Sequence, residues 1–322
     1  MECDMVNSSP AVTVLMPVFE TPEEMLDQAI ASILCQAFGD FEFLILNDGS
    51  PSERMRLRLD GWAKLDTRIR LFHEPHRGVP GTSNRGLALA RGEFVARQDA
   101  DDWSEPDRLE RQVAFLREHP EVVLAGTDTL SHQADGAPLW RLHLPHRPAG
   151  LAAALWNGNP FVHGSVMFRR AQAVAIGGYR EQLPCASDYD FLWRLSETGK
   201  PANLAEVLYH YRYTAGSISA RRAADQARVF RAAQALARAR RRGEPENISA
   251  ALAEAGKQIA LDTLRASLKQ ADHFMLAGDF LGAGRAYWRL LRSNPVSALA
   301  WGKTLRLAVF AAIPRAREVC FR

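Results

Sequence analysis

The chain has 322 residues, 47% of them hydrophobic and 24% charged, which excludes a disordered, collagen-like or low-complexity protein and leaves room for one large domain with an appendage, or for two domains. Four scattered cysteines (Cys3, Cys35, Cys185, Cys320) show no metal-ligand spacing, and a chain of this size needs no disulfide staples, so reduced thiols in a cytoplasm are expected. Net charge is only +3, but residues 221–322 carry 19 Lys+Arg against 8 Asp+Glu, and residues 1–220 carry 21 against 29. The two regions therefore meet different surroundings: the basic one suits an anionic lipid surface, nucleic acid or an acidic protein, or is simply a set of solvated Arg-rich helices.

The acidic start, Met1-Glu2-Cys3-Asp4, predicts no secretory leader, and no apolar run approaches the ~20 residues that span a bilayer. From residue 11 to 126, short apolar runs alternate with amphipathic stretches, as βα units around a parallel sheet do. Val12–Met16 is the first strand, halted at Pro17. Thr21-Pro22-Glu23-Glu24 reads as a capping box with Pro at the first helical position, and helical spacing continues through Leu34. Phe41–Leu46 is a second strand that runs into Asn47-Asp48-Gly49-Ser50. A polar helix, a strand at 69–72 and a helix over 80–91 follow. Phe94–Gln98 is a strand that delivers Asp99-Ala100-Asp101-Asp102, ahead of a helix at 106–118 and a strand at 122–125. From 127 to 220 the pattern loosens into loops, a short strand at 166–168, a Gly177-Gly178 turn and a helix near 188–198; beyond 220 it reads as helix, with a hairpin over 270–294.

Ligands of open α/β sheets collect beyond the carboxyl ends of strands, where both acidic clusters fall. Three carboxylates in four residues repel one another unless a hard cation or a cationic ligand offsets them, and Mg²⁺ or Mn²⁺ held by one or two carboxylates suits a substrate diphosphate. The alternative is a solvated loop that caps the next helix. Asp48 can accept from a base N–H or a ribose hydroxyl, or belong to a tight turn. Residues 76–86, with Arg77 and Asn84, open a helix where backbone N–H groups and Arg can meet phosphate.

Val14-Leu15-Met16-Pro17-Val18-Phe19, Leu46–Ser50, Asn84–Phe94, the acidic quartet, His163–Arg170, Gly177-Gly178-Tyr179 and Ser187–Leu195 follow one another in an order that resembles glycosyltransferase family 2 over roughly residues 11–220. The resemblance implies a GT-A fold, an α/β architecture with a Rossmann-like nucleotide-binding sheet flanked by helices, here with an all-helical C-terminal appendage. It divides the chain into a catalytic domain, 1–220, and a basic helical region, 221–322. It further implies a metal-dependent, inverting transfer of a sugar from a nucleoside-diphosphate sugar to an acceptor hydroxyl in cell-surface polysaccharide, lipopolysaccharide or glycoconjugate assembly.

Carried over position by position, Asp48 binds the base, Pro17, Val18 and Phe19 flank the nucleoside, and Arg77 and Asn84 also bind the donor nucleotide. Asp99 reaches ribose or metal, Asp101 holds the metal (Mn²⁺ or Mg²⁺), and Asp188 is the catalytic base. Ser187 stands where the family often has Glu, and Thr214 where a terminal motif often has His. Read from the residues alone, the alternative for Asp188 is a helix-start carboxylate favoured by the dipole. Trp103 walls the donor sugar or anchors the following helix, His163 borders the acceptor cleft or packs in its loop, and Arg212 meets phosphate. The partners expected are the donor, a carbohydrate or lipid-linked acceptor and, through 221–322, an anionic membrane face; no nucleic acid is expected. The location implied is cytoplasmic, peripheral at the inner membrane face. The competing readings are a haloacid-dehalogenase-type phosphatase, which would need its nucleophilic Asp after the first strand, and a degenerate nucleotide-sugar binder or scaffold.

Overall fold

A computed structural model describes residues 9–183, 185–214, 222–257, 268, 270–275 and 279–293. These gather into two compact units. The first comprises residues 9–129, 143–183 and 191–210; the second comprises Leu130–Leu142, Cys185–Asp190 and the described residues from 211 onward.

The first unit is built on a mixed sheet. Its strands are β1 (Val12–Val18), β2 (Phe41–Asp48), β3 (Ile69–Glu74), β4 (Phe94–Arg97), β5 (Trp103–Ser104), β6 (Val122–His132), β8 (Met167–Arg169) and β9 (Lys200–Arg212), in the order β3-β2-β1-β4-β8-β6-β9-β5, while β7 (Pro138–Leu142) pairs with β6. The last residues of β6 and β9, together with β7, fall in the second unit. Strands β1 to β4 are parallel, with Val18 opposite Asn47 and Leu15 opposite Arg97, so the ends of β1, β2 and β4 share one sheet edge. β8 runs antiparallel to β4 and β6, and β5 antiparallel to β9.

Helices α1 (Glu23–Leu34), α2 (Glu53–Leu65), α3 (Gly78–Leu89) and α4 (Arg108–Glu118) connect the strands. Val14, Phe43, Ile45, Phe94 and Ala96 of the sheet form the core with Leu26, Ile30 and Ile33 of α1 and Leu109, Val113 and Leu116 of α4. β2 is buried along its whole length, as a strand covered on both faces must be. The shorter helices α5 (Pro148–Ala154) and α6 (Arg170–Ala175) follow, and α7 (Ser187–Ser196) begins in the second unit and ends in the first. Trp193 of α7 is buried, with its ring edge-on to that of Trp156.

Three expectations change. The capping box at Thr21 is absent: Pro22 itself is the N-cap of α1 with no side-chain cap, and Glu23 and Glu24 face the helix dipole instead. α3 begins at Gly78, two residues before Pro80, because Gly78 adopts a positive φ (72°) that starts the turn. The region after 127 is richer in strand than its loose pattern suggested, since β6 extends to His132 and β9 runs 13 residues.

The second unit holds α8 (Ala223–Arg241), α9 (Ile248–Lys257) and α10 (Phe280–Ser293). Leu268 and Ala271 pack with Ala283, Ala286, Tyr287, Leu290 and Leu291, the apolar seam of the hairpin expected over 270–294. Tyr189, at the start of α7, stacks on Phe230 of α8 with ring centroids 3.7 Å apart. Among the described residues no helix is long and apolar enough to cross a membrane.

Candidate active site

The carboxyl edge of β1, β2 and β4 carries two neighbouring constellations. At the end of β2, the Asp48 carboxylate accepts the Arg77 N–H at 2.7 Å and the Gly78 N–H at 3.0 Å, so the start of α3 is bound to the strand end. An ionised carboxylate has about four lone-pair sites; Asp48 is buried, and the two backbone bonds together with the neighbouring His76 leave it about one with which to accept from a base. His76 lies 3.1 Å from the same carboxylate and 4.5 Å, ring to ring, from Phe19, whose side chain is 44% exposed just past the end of β1. Gly49 makes this approach possible: its φ is +70°, and a Cβ there would sit 2.6 Å from the His76 nitrogen. Pro17 and Val18 end β1 beside Leu46 and Asn47. Arg77, half exposed at the N-cap of α3, keeps a loose 3.8 Å ion pair with Glu74. Asn84 turns toward the chain itself, donating to the Tyr179 carbonyl at 2.9 Å and accepting the Tyr179 N–H at 2.7 Å, so it pins the turn expected at Gly177-Gly178.

At the end of β4, Arg97 is buried and donates to Asp99 Oδ1 at 2.8 Å and to the Leu15 carbonyl at 2.8 Å. Asp102 is buried too and accepts the Tyr209 hydroxyl at 2.9 Å; that hydroxyl in turn accepts the Asp99 N–H at 3.2 Å. Gln98 donates to the carbonyls of Asp99 and Asp102 at 3.0 and 3.1 Å, and takes Ser104 Oγ and Arg108 as donors. Arg108 is fully buried, and desolvation pulls its guanidinium down to about 10. Burial, then the Asp102 charge, pushes the Tyr209 phenol well above its ordinary value, so it stays a donor. The acidic quartet is thus held from beneath by a polar network that leaves Asp99 and Asp101 half-buried at the rim.

A short 3₁₀ turn, His163–Ser165, completes this side. His163 bonds the Tyr179 hydroxyl at 2.8 Å; burial and the nearby Arg97 charge hold its imidazole well below the usual range, hence neutral. Trp103 stacks flat on His210, centroids 4.7 Å apart, and His210 pairs with Glu105 at 2.6 Å. The first unit therefore brings together Pro17, Val18, Phe19, Asp48 and Arg77 on one side of the edge, and Asp99, Asp101, Trp103 and His163 on the other. Asp188, half-buried in the first turn of α7, and Arg212, buried at the end of β9, belong to the second unit, where Thr214 offers its carbonyl to His273 at 3.1 Å.

Among the described residues no three His, Cys, Asp or Glu side chains form a cage for a metal ion. Asp99 and Asp101 at the rim fit the other mode, in which one or two carboxylates share a hard divalent cation with substrate phosphates. Sequence reasoning missed Arg97, Tyr209 and His210. Arg97 in an otherwise apolar strand was the available signal, since a buried arginine needs a carboxylate close by.

Residues 13–175, half of the chain, match the family model for glycosyl transferase family 2. The chain belongs to that family. A putative glycosyltransferase EpsE from Bacillus subtilis is 34% identical over 212 residues, covering 64% of this chain and 74% of that protein. An amylovoran biosynthesis glycosyltransferase, AmsE of Erwinia amylovora, is 32% identical over 205 residues, covering 63% and 76%. Among solved structures, a mannosyltransferase from Pyrobaculum calidifontis in complex with GDP-Man and Mn²⁺ superposes with a TM-score of 0.57 at 19% identity, covering 94% of this chain and 85% of that one. Staphylococcus aureus TarS 1-349 in complex with UDP gives 0.56 at 14%, covering 92% and 88%. These likenesses give the family 2 chain its GT-A fold, and glycosyl transfer from a nucleotide sugar is its activity.

Proposed function

We propose that this family 2 enzyme is a metal-dependent, inverting glycosyltransferase that takes a nucleoside-diphosphate sugar at the edge of β1, β2 and β4 and passes the sugar to an acceptor hydroxyl in polysaccharide or O-antigen assembly. The observation that carries the reading is the pairing of two built strand ends, one presenting Asp48 and Phe19, the other Asp99 and Asp101. The relatives named for amylovoran and O-antigen biosynthesis support the pathway class. Residues 1–220 act as the catalytic domain and 221–322 as its helical region.

In this reading Asp48 accepts from the base, the Phe19 ring covers one base face, Pro17 and Val18 line the nucleoside, and Arg77 meets phosphate, with Asn84 fixing the Tyr179 turn beside them. Asp101 and Asp99 would hold Mn²⁺ or Mg²⁺, whose chemistry is to offset the charge that grows on the departing diphosphate. Asp188 takes the proton of the acceptor hydroxyl as its oxygen attacks the anomeric carbon from the face opposite the leaving group. Neutral His163 and Trp103 border the acceptor side, and Arg212 adds positive charge for the diphosphate. The basic region 221–322 makes peripheral contact with an anionic membrane at its cytoplasmic face, where a lipid-linked acceptor is met.

Calorimetric titration of UDP and of GDP, each with and without Mn²⁺, tests the donor and metal assignment on the wild type and on Asp101→Ala. Metal-dependent affinity for one nucleotide, lost in the variant with an unchanged thermal melt, is the expected result. Undiminished metal-dependent affinity in the variant overturns it.

A further inference from the structure

Within the second unit, α10 shows two unlike faces. Ala283, Ala286, Tyr287, Leu290 and Leu291 are buried in the hairpin seam, and Tyr287 is fixed there by a hydrogen bond to Asp272. The opposite face carries Leu281, 80% exposed, and Trp288, 57% exposed, with Arg285, Arg289 and Arg292 exposed beside them. The Arg292 guanidinium lies over the Trp288 ring at 4.5 Å. The helix contains no acidic residue. Large apolar groups standing in water among arginines are costly for a face that stays solvated, and they match the aromatic-plus-cation composition of helices that lie at a lipid interface.

The other basic cluster of this unit is differently placed. Arg240 pairs with Glu246 at 2.5 Å and Arg242 with Glu244 at 2.7 Å, so two of the four arginines at the end of α8 are offset by carboxylates that follow the helix, and among its described residues no large apolar side chain is exposed. The apolar residues Trp301, Leu305, Leu307, Val309, Phe310 and Ile313, which the sequence pattern also suggests for such contact, lie outside the described residues.

We infer that the outer face of α10 docks on anionic phospholipid, with Arg285, Arg289 and Arg292 on headgroup phosphates and Trp288 and Leu281 seated at the boundary with the acyl chains. The inference rests on the peripheral membrane contact proposed above and narrows it to one helix face. Charge complementarity favours this occupant over a second copy of the chain, because self-pairing about a two-fold axis would set three arginines against three arginines.

The test is co-sedimentation of the full chain with vesicles of phosphatidylcholine alone and of phosphatidylcholine mixed equally with phosphatidylglycerol, at low and high salt. Three proteins are compared: wild type, R285E/R289E/R292E on α10, and R238E/R241E/R242E at the C-terminal end of α8 and its cap, which changes net charge by the same amount. Circular dichroism and metal-dependent nucleotide binding confirm that each is folded. The expected result is salt-sensitive binding of wild type to the anionic vesicles only, a loss on the order of 10²-fold in the α10 variant at about fivefold per arginine, and a change of less than about threefold in the α8 variant. Equal losses in both variants, or undiminished binding by the α10 variant, overturn the assignment to this face while the membrane reading stands. Wild type remaining in the supernatant with anionic vesicles at low salt overturns that reading and this inference together. A dimer of the free protein that dissociates in the α10 variant identifies a second copy as the occupant and also overturns the inference.

Discussion

Arg97 and Asp99 sit two residues apart across the end of β4, with Nη2 2.8 Å from Oδ1, and the guanidinium is buried while the carboxylate reaches the rim. The same guanidinium bonds the Leu15 carbonyl of β1, so one cation ties the acidic loop to the strand beside it. One of the clustered carboxylates is thereby offset by the protein itself, which lowers the repulsion in the loop before any ligand arrives. Arg97→Met removes that offset. A lost hydrogen bond to a charged group costs about 1.5–3 kcal/mol, so thermal stability should fall by that order. Asp99 also loses the hydrogen bond that orients it and ties its loop to β1, so metal-dependent nucleotide affinity should fall despite the more negative loop, and Arg97→Lys, which keeps the charge on a single nitrogen, should recover part of the affinity. Calorimetric titration of the three proteins, with a melt of each, checks both effects.

The packing behind the same loop yields a contrast between two glycines. A Cβ on Gly164 would lie 1.9 Å from the Tyr209 hydroxyl and 2.8 Å from Asp99 Oδ2. Both groups are held in place, one by Asp102 and the other by Arg97, so neither swings aside freely. A Cβ on Gly86 would meet Leu15 side-chain atoms at 2.2 Å, and these are the ends of a chain that can change rotamer. Gly164→Ala should therefore cost about 1–3 kcal/mol and weaken metal-dependent nucleotide binding, and Gly86→Ala should affect stability more than binding. Urea denaturation together with titration separates the pair.

Stability should also respond to acid through two ion pairs in the first unit. Hydrogen bonds from Arg58 hold the Asp27 carboxyl below its ordinary value of 3.8, and Arg68 does the same for Asp66. Each folded value is depressed, so the unfolded chain binds more protons. The contribution is complete above about 3.8 and is lost as pH falls through the folded values. Asp27→Asn/Asp66→Asn should be less stable than wild type near neutral pH and should approach it as pH falls below 3.8 and through the depressed folded values. Denaturation midpoints measured across that range test the convergence.

The parallel half of the fold was legible because its period is regular: β1, β2, β3 and β4 fall where apolar runs end in Pro17, Asp48, Glu74 and Asp99. β9 was not, because its 13 residues mix Lys200, Glu206, His210 and Arg212 with apolar ones, and a strand that serves both units carries no single hydrophobic face. The rim carboxylates announced themselves by clustering in sequence. Tyr209 could not, since its partners Asp99 and Asp102 are more than 100 residues away and only the pairing of β5 with β9 brings them together. The Thr21 capping signal failed for a local reason: Pro22, with its φ fixed near −55°, took the N-cap position that the Thr hydroxyl would have served.

Asp188 is the residue whose assigned chemistry makes the sharpest demand. It lies in the first turn of α7, followed by Tyr189, which stacks on Phe230 of α8 at 3.7 Å with an interplanar angle of 5°. Such a stacked pair contributes about 0.5–1.5 kcal/mol beyond its buried area, enough to hold one turn of helix in register. Asp188→Asn keeps the shape and loses the proton acceptor, so donor binding should persist while transfer falls by about 10²-fold or more. Phe230→Ala leaves the carboxylate intact and loosens its support, so turnover should fall by about threefold to tenfold with nucleotide affinity unchanged. Only the Phe230 variant should regain rate when Leu or Tyr is placed there instead. Turnover at saturating donor, with nucleotide affinity measured separately, distinguishes the two. Near-wild-type transfer by Asp188→Asn would move the base elsewhere, with Asp190 in the same helical turn as the next residue to substitute.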